Sequence, residues 1–351
     1  MTSDYYKQTQ IDQTLRLREV LKTLPPFAKD YFRAMEPKSS AKTRINYAYD
    51  IRVFFHFLLE NNAIYKNYTM DQFRVQDLER IEPVDIEEYM EYLKLYDSPN
   101  DQTTITNGER GLKRKISSLR SFYTYYYKRQ AIETNPVQLV DMPKIHDKAI
   151  IRLDAGETAA LLDYIEHCGD QLTGQRKAYY EKTKLRDLAI VTLLLGTGIR
   201  VSECVGLDVE DIDFRNNGIR LIRKGGSEMV VYFGPEVEKA LKDYLESRKA
   251  ISPLEGHEHA LFYSTQRKRI GVQAVENLVK KYARAITTTK KITPHKLRST
   301  YGTTLYQETG DIYLVADVLG HKDVNTTKKH YAAMDDARRR KAATAIRLRE
   351  D

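Results

Sequence analysis

Apolar positions recur at helical spacing through roughly the first 130 residues. Tyr47, Ile51, Phe54, Phe55, Phe57, Leu58 and Leu59 share one such pattern. A second helix is predicted over Asp85–Leu95, opened by Pro83, whose fixed φ suits a first helical turn. A third covers Gly111–Arg129, with Ile116, Leu119, Phe122 and Tyr123 on one face. Pro99, Asn100 and Asp101 mark the loop before it. No period-two alternation interrupts this half, so it reads as all-α. Between Asn135 and Ile150 the pattern stops. Asn135-Pro136 and Met142-Pro143 break helix, and Lys144, His146 and Lys148 add polar weight. That stretch reads as extended backbone between two domains. The expected boundaries are a helical domain over 1–140, a linker over 141–152 and a second domain over 153–351.

The second half is mixed. Leu185–Leu195 is an apolar helix. Asn217-Gly218 is a turn signal, and Gly218–Arg223 and Glu228–Phe233 read as strands flanking Lys224-Gly225-Gly226. Ala260–Ser264 reads as another strand. Helical patterns then return over Val272–Thr287, Pro294–Glu308, Ile312–Leu319 and Thr326–Tyr331, followed by a charged tail, Asp335–Arg349. The fold class is therefore mainly α with a small antiparallel β-sheet, in two domains.

Composition narrows this picture. With 351 residues, 41% of them hydrophobic, the chain can bury two ordinary cores. A net charge of +8 and a pI of 9.1 permit a polyanionic partner without demanding one. Cys168 and Cys204 lie far apart and form no CxxC pair, which argues against a disulfide framework or structural zinc and for a reducing, cytoplasmic setting. The first ten residues, MTSDYYKQTQ, hold no apolar stretch of signal-peptide type. The longest apolar run, Leu188 to Leu195, is interrupted by Thr192, so no membrane span is expected.

One segment bears on a nucleic-acid partner directly. Residues 110–129 carry Arg110, Lys113, Arg114, Lys115, Arg120, Lys128 and Arg129 with no acid, interleaved with Tyr123, Tyr125, Tyr126 and Tyr127. Such cations neutralise phosphates and release counterions, and tyrosine hydroxyls donate to phosphate oxygens. Lys113, Arg114, Lys115 and Arg120 are the candidate DNA contacts. The alternative is a solvated helix face with its tyrosines half in the core.

Breaking a phosphodiester without a metal needs three things. A nucleophile must sit in line with the leaving oxygen, fixed cations must meet the charge on the non-bridging oxygens, and a proton must reach the leaving 5′ oxygen. The second half holds suitable residues in order. GTGIRVSE places Arg200 after a glycine turn, with Glu203 three residues on and able to orient the guanidinium. Lys224 occupies a hairpin tip, as either a solvated turn lysine or a delivered general acid. In TPHKLRST, Thr293 can cap a helix, Pro294 can open it, and His295 and Arg298 then share one face. Leu319-Gly320-His321 ends a helix, and Tyr331 follows ten residues after His321. Each of these has an ordinary structural reading when taken alone. No HExxH or carboxylate cluster favours a metal nuclease, and His257 and His259 lack further ligands in sequence.

Taken together, Arg200, Lys224, His295, Arg298, His321 and Tyr331 resemble the active-site set of the tyrosine recombinase/phage integrase family, over roughly residues 40–340. KLRDLAIVTLLLGTGIRVSE and SSLRSFYTYYYKR are most similar to its bacterial Xer branch, and within it to the single-recombinase type of streptococci. The resemblance implies an α-helical core-binding domain and a mixed catalytic domain clamped around double-stranded DNA, with no metal or nucleotide cofactor. It implies that Arg200 and Arg298 hold the scissile phosphate and His321 bonds it. Tyr331 would attack to form a 3′-phosphotyrosyl bond, Lys224 would protonate the 5′ oxygen, and His295 would assist proton transfer. It further implies a homotetramer on two DNA sites, a C-terminal helix exchanged between protomers, and chromosome dimer resolution. An integrase of a mobile element and an inactive DNA-binding relative are the alternatives. Many Xer-like members place the tyrosine nine residues after the histidine. Here His330 holds that position and Tyr331 comes one later, a rotation of about a third of a helical turn.

Overall fold

The computed structural model describes residues 4–98, 103–146, 150–223, 226–321 and 324. The chain divides into two compact units, Asp4–Lys148 and the remainder from Ala149 onward.

The first unit is built from α1 (Asp4–Leu21), α2 (Ala28–Met35), α3 (Ala41–Asn61), α4 (Pro83–Tyr92), β1 (Leu95–Asp97), β2 (Thr104–Thr106), α5 (Glu109–Lys128) and α6 (Pro136–Leu139). Ser40 starts α3 by accepting a hydrogen bond from the Thr43 N–H. The predicted apolar faces meet in the core: Ile51, Phe54, Phe55 and Leu58 of α3 join Ile116, Leu119, Phe122 and Tyr123 of α5. Rings pack edge to face there, as with Tyr31 and Phe122 at 5.2 Å and 89°.

Three expectations for this half need correction. It is not all-α: Leu95, Tyr96 and Asp97 pair with Thr106, Ile105 and Thr104 in an antiparallel hairpin. Three-residue strands are too short for alternation to show, and only Tyr96 among them is fully buried. The helix expected to reach Leu95 stops at Tyr92, and Leu95 opens β1 instead. Nor is Asn135–Val140 extended linker. Pro136 opens α6, Val137 and Val140 are buried in the core, and Arg120 donates to both their carbonyls at 3.0 Å.

The second unit holds α7 (Ala155–His167), α8 (Gly174–Thr197), α9 (Val201–Gly206), β3 (Ile212–Asp213), β4 (Gly218–Ile222), β5 (Glu228–Tyr232), α10 (Pro235–Arg248), α11 (Val272–Ile286), α12 (Pro294–Thr309) and α13 (Ile312–Leu319). The central helix is α8, apolar through its second half, with α7, α10 and α12 packed on it. A buried polar tie crosses to α11, where Asp187 accepts from Arg186 and from the Tyr282 hydroxyl at 3.0 Å. The sheet is antiparallel in the order β3-β4-β5, and β4 and β5 run from Gly218↔Tyr232 to Ile222↔Glu228. Ala260–Ser264, expected as a strand, makes only isolated bridges, Asp208↔Ala260 and Tyr263↔Arg269. Arginine side chains take the place of a ladder: Arg248 donates to Ala260 O and Arg186 to Tyr263 O. Among the described residues no helix is long and apolar enough to cross a membrane.

Candidate active site

The site assembles on the last turn of α13. A helix C-terminus leaves carbonyls without intrahelical partners and carries partial negative charge. Here three consecutive carbonyls each accept from a different arginine. Arg223, just after β4, donates through Nη2 to Val318 O at 2.7 Å. Arg298 of α12 donates through Nη2 to Leu319 O. Arg200, between α8 and α9, donates through Nη2 to Gly320 O at 3.2 Å. Gly320 ends the helix in the left-handed region, at φ 60°. His321 follows, its N–H bonded to Ala316 O at 2.9 Å. Three cations from distant parts of the chain thus cap one helix end.

Local sequence explains each placement. Gly198 ends α8 at φ 63°, and a Cβ there would lie 2.3 Å from the Tyr301 ring, so the turn before Arg200 requires glycine. Glu203 folds back one turn, as its spacing predicts. Its oxygens accept from the Arg200 backbone N–H and from Nη1, both at 2.7 Å. The carboxylate is only 4% exposed and the guanidinium 36%, so a buried anion aims a partly exposed cation. Arg298, 4% exposed, also donates through Nη1 to Gly198 O and ties the end of α8 to the end of α13. His295 stands exposed in the first turn of α12, one turn before Arg298. Thr293 does not cap that helix with its hydroxyl. Its backbone carbonyl instead accepts from Lys296 and Leu297 at 2.8 and 3.1 Å.

The structure therefore brings Arg200, Arg298 and His321 together around one helix end, with His295 on the same helix as Arg298. Lys224, Tyr331 and the tail Asp335–Arg349 lie outside the described residues. On either side of residues 224–225, the Arg223 N–H donates to Ser227 O at 2.8 Å and the Gly226 N–H donates to Arg223 O at 2.9 Å. Arg223 escaped the sequence reading because RKGG looks like a solvated turn. Burial pushes its pKa down, the Glu203 charge pulls it up, and Arg200 pushes it down again.

The basic helix of the first unit looks different in three dimensions. Lys115 is 6% exposed, with Nζ 3.3 Å from the buried Asp50 carboxylate. Arg114 pairs with the other Asp50 oxygen while keeping 48% of its side chain exposed, and the Ser118 hydroxyl donates to it at 3.1 Å. The segment looks acid-free only locally, because its carboxylate comes from α3. Arg120 is engaged with α6, as described above. Lys113 is half-buried on the same helix. Tyr123 and Tyr126 belong to the core, and Tyr127 is exposed.

Comparisons with known proteins converge. The model of the phage integrase family matches residues 152–338. Tyrosine recombinase XerC of Caldanaerobacter subterraneus subsp. tengcongensis is 33% identical over 348 residues, covering 96% of this chain and 91% of its own. Tyrosine recombinase XerS of Streptococcus equi subsp. zooepidemicus is 28% identical over 342 residues, covering 92% and 95%. Among solved structures, the XerH site-specific recombinase bound to palindromic difH substrate aligns with a TM-score of 0.64 at 20% identity, over 90% of this chain and 83% of its own. The Tn1549 transposon integrase in complex with circular intermediate DNA aligns at 0.60 and 21% identity, over 90% and 98%. These likenesses establish a shared two-domain fold.

Proposed function

Since the chain belongs to the phage integrase family and is a tyrosine recombinase, a site-specific DNA recombinase, we propose that it cuts and rejoins duplex DNA through Tyr331 to resolve chromosome dimers. The observation that carries the reading is the convergence of Arg200, Arg298 and His321 on one helix end. A scissile phosphate placed there meets a guanidinium already oriented by Glu203. It gains charge stabilisation in the transition state without reorganisation of the site.

The chemistry balances without a cofactor. The Tyr331 oxygen attacks phosphorus, its phenolic proton leaves with help from His295, and the P–O5′ bond breaks. Lys224 gives a proton to the departing 5′ oxygen. The 3′-phosphotyrosyl bond conserves the energy of the broken linkage, so a 5′-hydroxyl from a partner strand reverses the step. Four protomers on two sites would complete the exchange in the cytoplasm, where the chromosome lies.

Similarity to XerC along nearly the whole chain supports the chromosomal role over that of an element integrase. Cells lacking the protein should then accumulate dimeric chromosomes and fail to separate them at division. Normal segregation in such cells would contradict the chromosomal role and leave the cleavage chemistry untouched.

A further inference from the structure

We propose that Arg223 is a positioning residue for the proton-transfer step, tying the chain that leads into Lys224 to the end of α13. The inference rests on the reading of Lys224 as the general acid.

Three observations carry it. First, Arg223 is 8% exposed, and its Nη2 bond to Val318 O spans 95 residues of sequence. That bond joins the residue just after β4 to the last turn of α13, which His321 follows. Second, this guanidinium packs directly on the glycine that ends α13. A Cβ built on Gly320 would lie 1.2 Å from Arg223 Nη1 and 2.3 Å from Cζ, so any other residue at 320 displaces it. Third, Nε and Nη1 of Arg223 are buried without a hydrogen-bond partner among the described residues. Leaving buried donors unmet is unfavourable, and native structures rarely do so without cause. An apolar side chain would fill the same space without that cost, so filling space does not account for an arginine here.

The backbone completes the argument. The Arg223 N–H donates to Ser227 O, and its C=O accepts from the Gly226 N–H. Consecutive Cα atoms are about 3.8 Å apart. Anchoring Arg223 therefore restricts where residue 224 can begin, and with it the reach of an ammonium on a flexible four-carbon stem. Without the Val318 bond the chemistry of Lys224 is intact but its delivery is not.

A leaving group that needs no proton separates this role from phosphate binding or simple folding. Single-turnover cleavage of a nicked recombination site would be measured with the ordinary 5′ oxygen and with sulfur at the 5′ bridging position. A thiolate departs unprotonated. Wild type, Arg223→Ala, Arg223→Lys, Lys224→Ala and Arg200→Ala would be compared at saturating protein, after checking that each binds the site.

Arg223→Ala should cleave the oxygen substrate about 100-fold more slowly, within the range of general acid catalysis, and the sulfur substrate at nearly the wild-type rate. Lys224→Ala should show the same rescue, and Arg200→Ala should stay slow on both. Arg223→Lys keeps a donor for Val318 O and should fall between wild type and alanine on oxygen alone. If Arg223→Ala fails to fold, the lysine variant decides by the same oxygen–sulfur contrast. Equal losses on both substrates for the Arg223 variants, with Lys224→Ala rescued, would overturn the positioning role alone. Absence of rescue in Lys224→Ala would overturn the reading it rests on, and the inference with it.

Discussion

Both carboxylate oxygens of Glu203 are committed to Arg200, one to the backbone N–H and one to the guanidinium. A neutral amide of the same shape would keep at most one of these as a good acceptor and would lose the charge. Hydrogen bonds to charged groups contribute about 1.5–3 kcal/mol, so Glu203→Gln should slow strand cleavage about 10- to 100-fold. Binding of the recombination site, measured by gel shift, should change little. Unchanged cleavage would mean that Arg200 is held well enough by Gly320 O alone. At this scale the sequence was most informative where residue type and order both count. The Glu203–Arg200 pair follows from a three-residue spacing, and the convergence of Arg200, Arg298 and His321 follows from motif order. Arg223 was invisible because its partner, Val318, lies 95 positions away. A turn arginine has no local signature of burial.

Within α5 the same distance effect decides which cations are structural. Lys115 is buried on Asp50, whereas Lys113 has no such pairing with it. Removing Lys115 leaves Asp50 with Arg114 and Ser118, so Lys115→Ala should lower unfolding stability by about 1–3 kcal/mol. Lys113→Ala should weaken DNA binding and leave the denaturant midpoint unchanged. The reverse pattern, with Lys115→Ala stable and defective only in binding, would return Lys115 to the DNA face. The helices themselves were legible because their apolar periodicity runs over many turns. The β1–β2 hairpin was not, because three residues cannot establish a period. Ala260–Ser264 misled for another reason. It is a buried apolar run like a strand, but Arg186 and Arg248 satisfy its carbonyls in place of a neighbouring strand.

For the molecule as a whole, a net charge of +8 and two compact units suit a protein that acts on DNA. The tail after Tyr331 carries Arg338, Arg339, Arg340 and Lys341, then Ala342, Ala343, Ala345, Ile346 and Leu348. A segment that docks into a neighbouring protomer would need such an apolar end. Deleting Ala342–Asp351 should therefore reduce recombination between two sites far more than binding of one protomer to one half-site. Equal recombination by the truncated chain would remove the exchange role. Covalent attachment through Tyr331 is tested by trapping the intermediate. A suicide substrate, nicked so that the freed 5′ fragment diffuses away, should leave the protein covalently joined to a DNA 3′ end, visible as a shifted band on a denaturing gel. The adduct should form with the wild type and not with Tyr331→Phe. An adduct that persists in Tyr331→Phe would show that another residue is the nucleophile.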